Sequence, residues 1–217
     1  MSHHTDRLEQ SLWCFGLPVL WYSISIFTGV WLYRGVSINP AYSLAFFSFL
    51  AFIIIVPFWF RYTKRYGLLP LGLFSSHLML RLAFFLLLIL MLTSMMMESE
   101  ERWVQQMADF SKQGWLSVVL AMILFSPIIE EIVFRGFLLQ GLLTWLPNNR
   151  LACCLLVSLI FAAVHTQYTS TVTLTELIAI SLLLCYARLT SKGLLMPILT
   201  HMLTNSTVLL FWYASTV

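Results

Sequence analysis

Charge is what this sequence has least of. Of 217 residues, 12 are Lys or Arg and 9 are Asp or Glu, 10% of the chain, against 60% apolar residues that include 17 Phe and 8 Trp. Soluble globular chains carry about a quarter charged residues, and so thin a supply cannot clothe this much apolar surface in water. A soluble globule and a disordered tail are excluded on that ground. Glycine is scarce as well, at 9 residues, which excludes a collagen-like repeat. The net charge of +3 is too small to draw a polyanion, so no nucleic-acid partner is implied. Cysteine is equally sparse. Cys14, Cys153, Cys154 and Cys185 form neither a C-x-x-C motif nor a disulfide framework, and they read as small buried core residues. The leading residues hold Arg7 against Asp6 and Glu9, and the apolar run behind them is too long for the core of a signal peptide, so no cleaved leader is expected. Internal repeats and low-complexity tracts are also missing.

Long apolar runs are what remains, with a mean hydropathy of +0.88. A membrane helix needs about 20 predominantly apolar residues. Seven stretches qualify, near 11–33, 41–60, 76–97, 114–143, 151–168, 173–188 and 193–213. The expected fold is an all-α, polytopic transmembrane helix bundle of about seven spans. It forms a single integral membrane domain over 1–217, with 1–113 holding three amino-terminal spans and 114–213 the core spans. The basic residues orient it. With the amino terminus inside, the inner segments carry Arg7, Arg61, Lys64, Arg65, Arg81, Arg150, Arg188 and Lys192, and the outer ones only Arg34, Arg102 and Lys112 beside Glu98, Glu100, Glu101 and Asp109. The expectation is a multi-pass protein of the cell membrane, amino terminus cytoplasmic and carboxyl terminus outside. Between Glu98 and Gln113, Trp103, Val104, Met107 and Phe110 recur at helical spacing, which predicts a short amphipathic helix along the outer interface.

Charge at membrane depth is costly and calls for a partner or a task. The fourth span holds Glu130, Glu131 and Arg135. Glu131 and Arg135 are i and i+4 and share a face, so they read as a structural ion pair. Glu130 is about 140° away from Arg135 around the helix. It has no local partner and should face a polar cavity. At 1.5 Å per residue, Glu130 lies roughly 15–20 Å from the inner end of its helix, His165 about 21 Å, His201 about 12 Å and Asn205 about 18 Å. His201 and Asn205, at i and i+4, point the same way. Four polar side chains on three helices therefore converge near mid-membrane. Pro127 should interrupt its span, with Ser126 as a cap that starts a new segment and places both glutamates near a positive helix end. Pro197 should open its helix in a similar way, leaving a water-filled pocket. Glu176 follows Thr173 at capping-box spacing and should close the start of the sixth span. His77 reads as interfacial, His3 and His4 as part of a flexible end, and Gly136 and Gly141 as close helix contacts.

A free carboxylate near an imidazole can activate water, and a His–Asn face can donate hydrogen bonds to an oxyanion. These are the parts of a peptide hydrolase without a covalent nucleophile. There is no G-x-S-x-G, no H-E-x-x-H and no pair of membrane aspartates.

The ordered motifs Glu130-Glu131-x-x-x-Arg135, Phe161-x-x-x-His165 and His201-x-x-x-Asn205 resemble those of the CPBP family. These are the CAAX proteases and bacteriocin-processing enzymes, whose best-known members are the type II CAAX prenyl proteases. Arg135-Gly136-Phe137-Leu138 and Pro197-Ile198-Leu199-Thr200-His201 are similar to the family as well. The resemblance covers roughly 114–213, and the first three spans carry no signature. It implies a glutamate-dependent intramembrane endopeptidase. Glu130 would be the general base, His165 would help polarise the water, His201 and Asn205 would form the oxyanion hole, and Glu131 and Arg135 would hold the helix. The family has also been described as metalloproteases. Zinc, if bound, would fall to Glu130, His165 and His201 as a His₂Glu set, but their spacing carries no zinc signature, and a mechanism without metal or other cofactor is expected. The implied partners are the bilayer and a membrane-associated protein or peptide substrate. A prenylated cysteine peptide, a leader peptide, a bacteriocin precursor and a carboxy-terminal anchor are equally compatible. Two readings from other classes stand beside this one. Intramembrane Glu, His and Arg also mark proton-coupled transporters, although the halves show no repeat symmetry. A non-proteolytic immunity or scaffold protein would share the same fold.

Overall fold

The computed structural model describes residues 2–33, 40–97 and 101–216. Arg34, Glu98 and Glu100 lie outside the described residues, as do the side chains of Val104, Met107, Asp109, Phe110 and Lys112. Among the described residues there are helices and no strand: α1 (Ser2–Tyr33), α2 (Pro40–Tyr66), α3 (Ser76–Ser94), α4 (Arg102–Val119), α5 (Ser126–Glu130), α6 (Leu139–Trp145), α7 (Arg150–Val164), α8 (Thr171–Ser191) and α9 (Leu195–Thr216). Two wider π-helical stretches, π1 (Leu120–Phe125) and π2 (Glu131–Leu138), join α4, α5 and α6 into one rod. Arg7–Trp31, Ala41–Tyr66, Ser76–Ser94, Gly114–Trp145 and Thr171–Ser191 are long and apolar enough to cross a membrane, while Arg150–Val164 and Leu195–Phe211 are shorter apolar helices. The chain is a multi-pass membrane protein built as an all-α bundle. Its outward faces carry large apolar side chains such as Leu12, Leu73, Leu80 and Leu151, and its interior carries Glu131, Arg135 and His201. That inside-out pattern suits a lipid surround, where helices satisfy their own backbone groups.

The rod Gly114–Trp145 is central. α1 and α2 pack along one side of it and α7, α8 and α9 along the other, while α3 covers α8 and α9. Aromatic rings fill the middle, with Trp21 on Phe134 (5.2 Å between centroids), Phe134 on Phe161 (5.1 Å) and Tyr62 on Phe137 (4.9 Å). Gly114 sets the entry. Its φ of −150° and ψ of 36° bend α4 between the Arg102 end and the span, and a Cβ there would come within 2.7 Å of Ala41 Cβ. Residues 102–113 are thus a helical start of the rod, set off from the span by the kink at Gly114. Gly141 permits the close approach of α1, because a Cβ there would stand 2.8 Å from Cys14 Cβ.

Several local expectations need correction. The fifth apolar stretch is not helical throughout, since its helix ends at Val164 and residues 165–170 carry the chain on to α8. α7 has 15 residues, about 22 Å at 1.5 Å each, against a hydrocarbon core of about 30 Å. Ser126 is not a cap, nor does Pro127 start a new segment. Ser126 is helical (φ −59°, ψ −49°), and its N–H bonds to Ala121 O, five residues back. The widened turn absorbs the proline within a continuous helix, so the glutamates do not sit at a positive helix end. Pro197 opens nothing either. It is the third residue of α9, in the first turn where an N–H has no intrahelical acceptor. The N–H groups of Leu194 and Leu195 bond instead to the carbonyls of Pro70 (3.1 Å) and Leu71 (2.7 Å). Ser170, not Thr173, caps α8 by accepting from Val172 N–H (3.2 Å), and Glu176, farther along that helix, accepts from the Thr93 hydroxyl on α3. His3 and His4 fall within the bounds of α1. His77 is exposed in the first turn of α3.

Candidate active site

The consecutive glutamates at the α5–π2 junction point to different surroundings. Glu131 is fully buried, and its Oε1 accepts from Arg135 Nη1 (2.9 Å) and from the Nδ1–H of His201 (2.8 Å). Arg135 is also fully buried. Its Nη2 donates to Ser181 Oγ (2.8 Å) and to the Ser181 carbonyl (3.3 Å) on α8, and its guanidinium carbon stands 4.6 Å from the centre of the Phe161 ring. One buried ion pair thereby ties the rod to α7, α8 and α9. Charges so far from water are tolerated only when paired and hydrogen-bonded.

Among the described residues Glu130 makes no such bonds. Its Oε2 lies 4.0 Å from His165 Nε2 and 3.9 Å from His201 Nε2, and its side chain keeps 15% exposure. At that separation a water molecule fits between the groups better than a direct bond.

The two imidazoles are held alike. His165 ends α7 with φ −84° and ψ 56°, and its Nδ1–H donates to the carbonyl of Phe161 (2.6 Å). That carbonyl belongs to the last turn, where helix acceptors lack partners. Hence the Phe161-x-x-x-His165 spacing has a physical reason: Phe161 takes the imidazole through its carbonyl and Arg135 through its ring. His201 donates through Nδ1 to Glu131. A carbonyl and a carboxylate can only accept, so each ring carries its proton on Nδ1 and, when neutral, turns a lone pair on Nε2 toward Glu130.

Asn205 stands one turn beyond His201 and is engaged elsewhere. Its Nδ2 donates to the carbonyl of Met122 (2.7 Å). In the five-residue spacing set by Ser126, that carbonyl faces residue 127, and proline has no N–H to give it. Glu130, His165 and His201 are therefore brought together, and Asn205 is placed against the turn that leads to Glu130.

Among the described residues no group of three His, Cys, Asp or Glu side chains gathers as metal ligands. Ligands of a tetrahedral zinc stand about 3.4 Å apart, given bonds near 2.05 Å, and the Glu130–imidazole separations are wider than that.

Residues 112–207 match the family model described as type II CAAX prenyl endopeptidase Rce1-like. Over that stretch, less than half of its length, the chain is similar to the Rce1-like family. The chain is also similar to an uncharacterized 24.3 kDa protein of Escherichia coli, 36% identical over 104 residues. The matched part is 48% of this chain and 48% of that protein, so the chain spans about half the length of the curated relative it matches. No solved structure matches. The Rce1-like region takes in Glu130, Glu131, Arg135, His165, His201 and Asn205 and leaves out α1, α2 and α3.

Sequence reasoning missed three participants around this domain. Ser181 carries no signal in the sequence, because its facing of the buried Arg135 is a tertiary fact. The Met122 carbonyl is backbone, visible only through the missing N–H of Pro127. Glu101 was counted among the outer acidic residues, yet its carboxylate is buried against Thr169 and Ser170.

Proposed function

We propose that the chain is a glutamate-dependent intramembrane endopeptidase that hydrolyses a peptide bond in a membrane-associated protein or peptide. The observation that carries this reading is the Glu130 carboxylate, without a hydrogen bond among the described residues and about 4 Å from two imidazole Nε2 atoms inside an apolar bundle. Glu130 draws a proton from a water molecule lodged among the three groups, and His165, anchored through Nδ1, orients that water with its Nε2 lone pair. The hydroxide adds to the peptide carbonyl. His201 carries a proton on Nε2 in this step while Glu131 holds its Nδ1–H, and that imidazolium stabilises the oxyanion. Asn205 contributes the N–H that Met122 leaves over. Glu130 then passes its proton to the departing amine. Glu131 and Arg135 act one step removed, by fixing His201.

Glu130, His165 and His201 are also the residues that would hold zinc, which would supply a Lewis acid and a more acidic water. Their separations favour the metal-free route. Bound-metal analysis of the purified protein tests it, and stoichiometric zinc lost together with activity in chelator would reverse the preference. We further propose that the end carrying Arg61, Lys64, Arg150 and Lys192 is cytoplasmic.

The test compares the membrane proteome of a deletion strain complemented by wild-type protein, by Glu130→Ala and by His165→Ala. A precursor that accumulates in the deletion strain and in both variants, each folded and inserted, is the expected result. With the substrate in hand, loss of the base should lower the rate by about 10²–10⁴-fold. Normal processing in both variants would sink the peptidase reading.

A further inference from the structure

Glu101 lies ahead of the Rce1-like region and belongs to none of its motifs, yet it is 6% exposed and closely bound. Oε1 accepts from the N–H of Ser170 (2.8 Å), both oxygens share the N–H of Thr169 (3.2 and 3.3 Å), and Oε2 accepts from the Thr169 hydroxyl (3.3 Å). These N–H groups stand just ahead of α8, where a helix has no acceptors of its own and its dipole favours an anion. A carboxylate from the start of α4 thus closes the amino end of α8.

The segment it holds is short and begins at His165. α7 ends at Val164 and α8 starts at Thr171, so no regular helix fixes the residues between. Tyr168 folds back along this segment. Its N–H bonds to the His165 carbonyl (3.1 Å), and its ring stacks on the imidazole at 6.3 Å and 15°. The imidazole has one polar tether of its own, from Nδ1 to Phe161. Its position against Glu130 therefore depends on where the segment runs, and the segment is fastened at its far end by Glu101.

We propose that Glu101 is a positioning residue of the site, and that its grip on Thr169 and Ser170 fixes the segment beginning at His165 and sets where that imidazole stands against Glu130. The kinetic part of this inference rests on the peptidase reading; the structural part does not. It also gives the start of α4, ahead of the domain match, a task in the site.

The experiment uses the full chain in detergent or lipid nanodiscs as wild type, Glu101→Ala and Glu101→Gln. Amide hydrogen exchange is followed over residues 165–170. Modification of His165 by diethyl pyrocarbonate is followed by mass spectrometry, with exposed His77 as the internal reference. Glu101→Ala should speed exchange about tenfold, as loss of charge-assisted bonds implies, and should raise His165 modification several-fold relative to His77. Glu101→Gln keeps an acceptor oxygen and should recover much of both. On the substrate identified through the Glu130 variant, Glu101→Ala should lower kcat about tenfold with KM nearly unchanged, and Glu101→Gln should recover part of it. Unchanged exchange in Glu101→Ala would overturn the proposal. So would faster exchange with His165 modified at the wild-type rate, or faster modification with an unchanged kcat. If the Glu130 variants process every precursor normally, the peptidase reading falls, while the exchange and modification results still decide the role of Glu101.

Discussion

Two neighbourhoods only one residue apart in sequence are built on opposite principles. Around Glu131 the polar groups are committed to one another: Arg135 and His201 share one of its oxygens, and Ser181 takes the far side of Arg135. Around Glu130 two imidazole Nε2 atoms stand back at 3.9 and 4.0 Å, each on a ring already anchored through its Nδ1. The first arrangement holds three helices to the rod. The second is kept rigid by its surroundings while its own hydrogen-bonding capacity stays open. In a bilayer an unpaired carboxylate is expensive, so its presence beside a buried, ion-paired one supports the proposed division, structure served by Glu131 and chemistry by Glu130.

The sharpest way to break that comparison is to remove each carboxylate in turn. Glu131→Ala strands a fully buried guanidinium and should destabilise the protein by about 3–5 kcal/mol, the cost of leaving half of a buried pair. Glu130→Ala removes a carboxylate that makes no hydrogen bond among the described residues and should change stability by about 0.5 kcal/mol or less. Thermal unfolding in detergent, together with abundance in the membrane, reads both. Equal losses from the two substitutions would show that Glu130 is structural after all.

A smaller effect is expected on the approach to Glu130. If Asn205 serves the turn that Pro127 leaves short of an N–H, Asn205→Ala should cost about 1–2 kcal/mol by orphaning the Met122 carbonyl. In a Pro127→Ala background a backbone N–H becomes available to that turn, and the same substitution should cost about 0.5 kcal/mol or less. A double-mutant cycle of unfolding free energies measures this coupling. The same cost in both backgrounds would mean that the bond to Met122 does not hold the turn.

The contrast between the two glutamates was legible in the sequence because it follows from helix geometry, and so were the long apolar helices, which follow from composition. Where the reading stopped was at tertiary choices with several local solutions. Ser126-Pro127 can begin a new helix or ride inside a widened turn, and only packing against Asn205 selects the second. Val164-His165 can continue a helix or end it, and the Phe161 carbonyl, reached by the imidazole, favours ending it. Thr173 and Glu176 carry a capping pattern that loses to Ser170, because Glu176 is drawn across to Thr93 on α3. Each of these is a competition between two satisfactory sets of hydrogen bonds, decided in the first and last cases by a partner distant in sequence and in the second by a carbonyl one turn away.

Glu101 extends the comparison beyond the membrane-spanning rods as a third buried carboxylate, committed like Glu131, and pH gives the smallest of the expected effects. Burial pushes its pKa up, but the hydrogen bonds from the Ser170 and Thr169 backbone and the Thr169 side chain outweigh that and hold it below the ordinary 4.5. A carboxylate with a lowered folded-state pKa stabilises the fold in its charged form. Its contribution is complete above the ordinary value and declines as pH falls through the lowered one. The stability gap between wild type and Glu101→Gln should therefore be constant from neutral pH down to about pH 5 and should close at lower pH, as the wild-type carboxylate takes up its proton. Thermal unfolding of the two proteins side by side across that range measures the gap. A gap that stays the same through the acid range would mean that Glu101 holds the loop as a neutral acceptor, and would separate it from Glu131, whose task depends on charge.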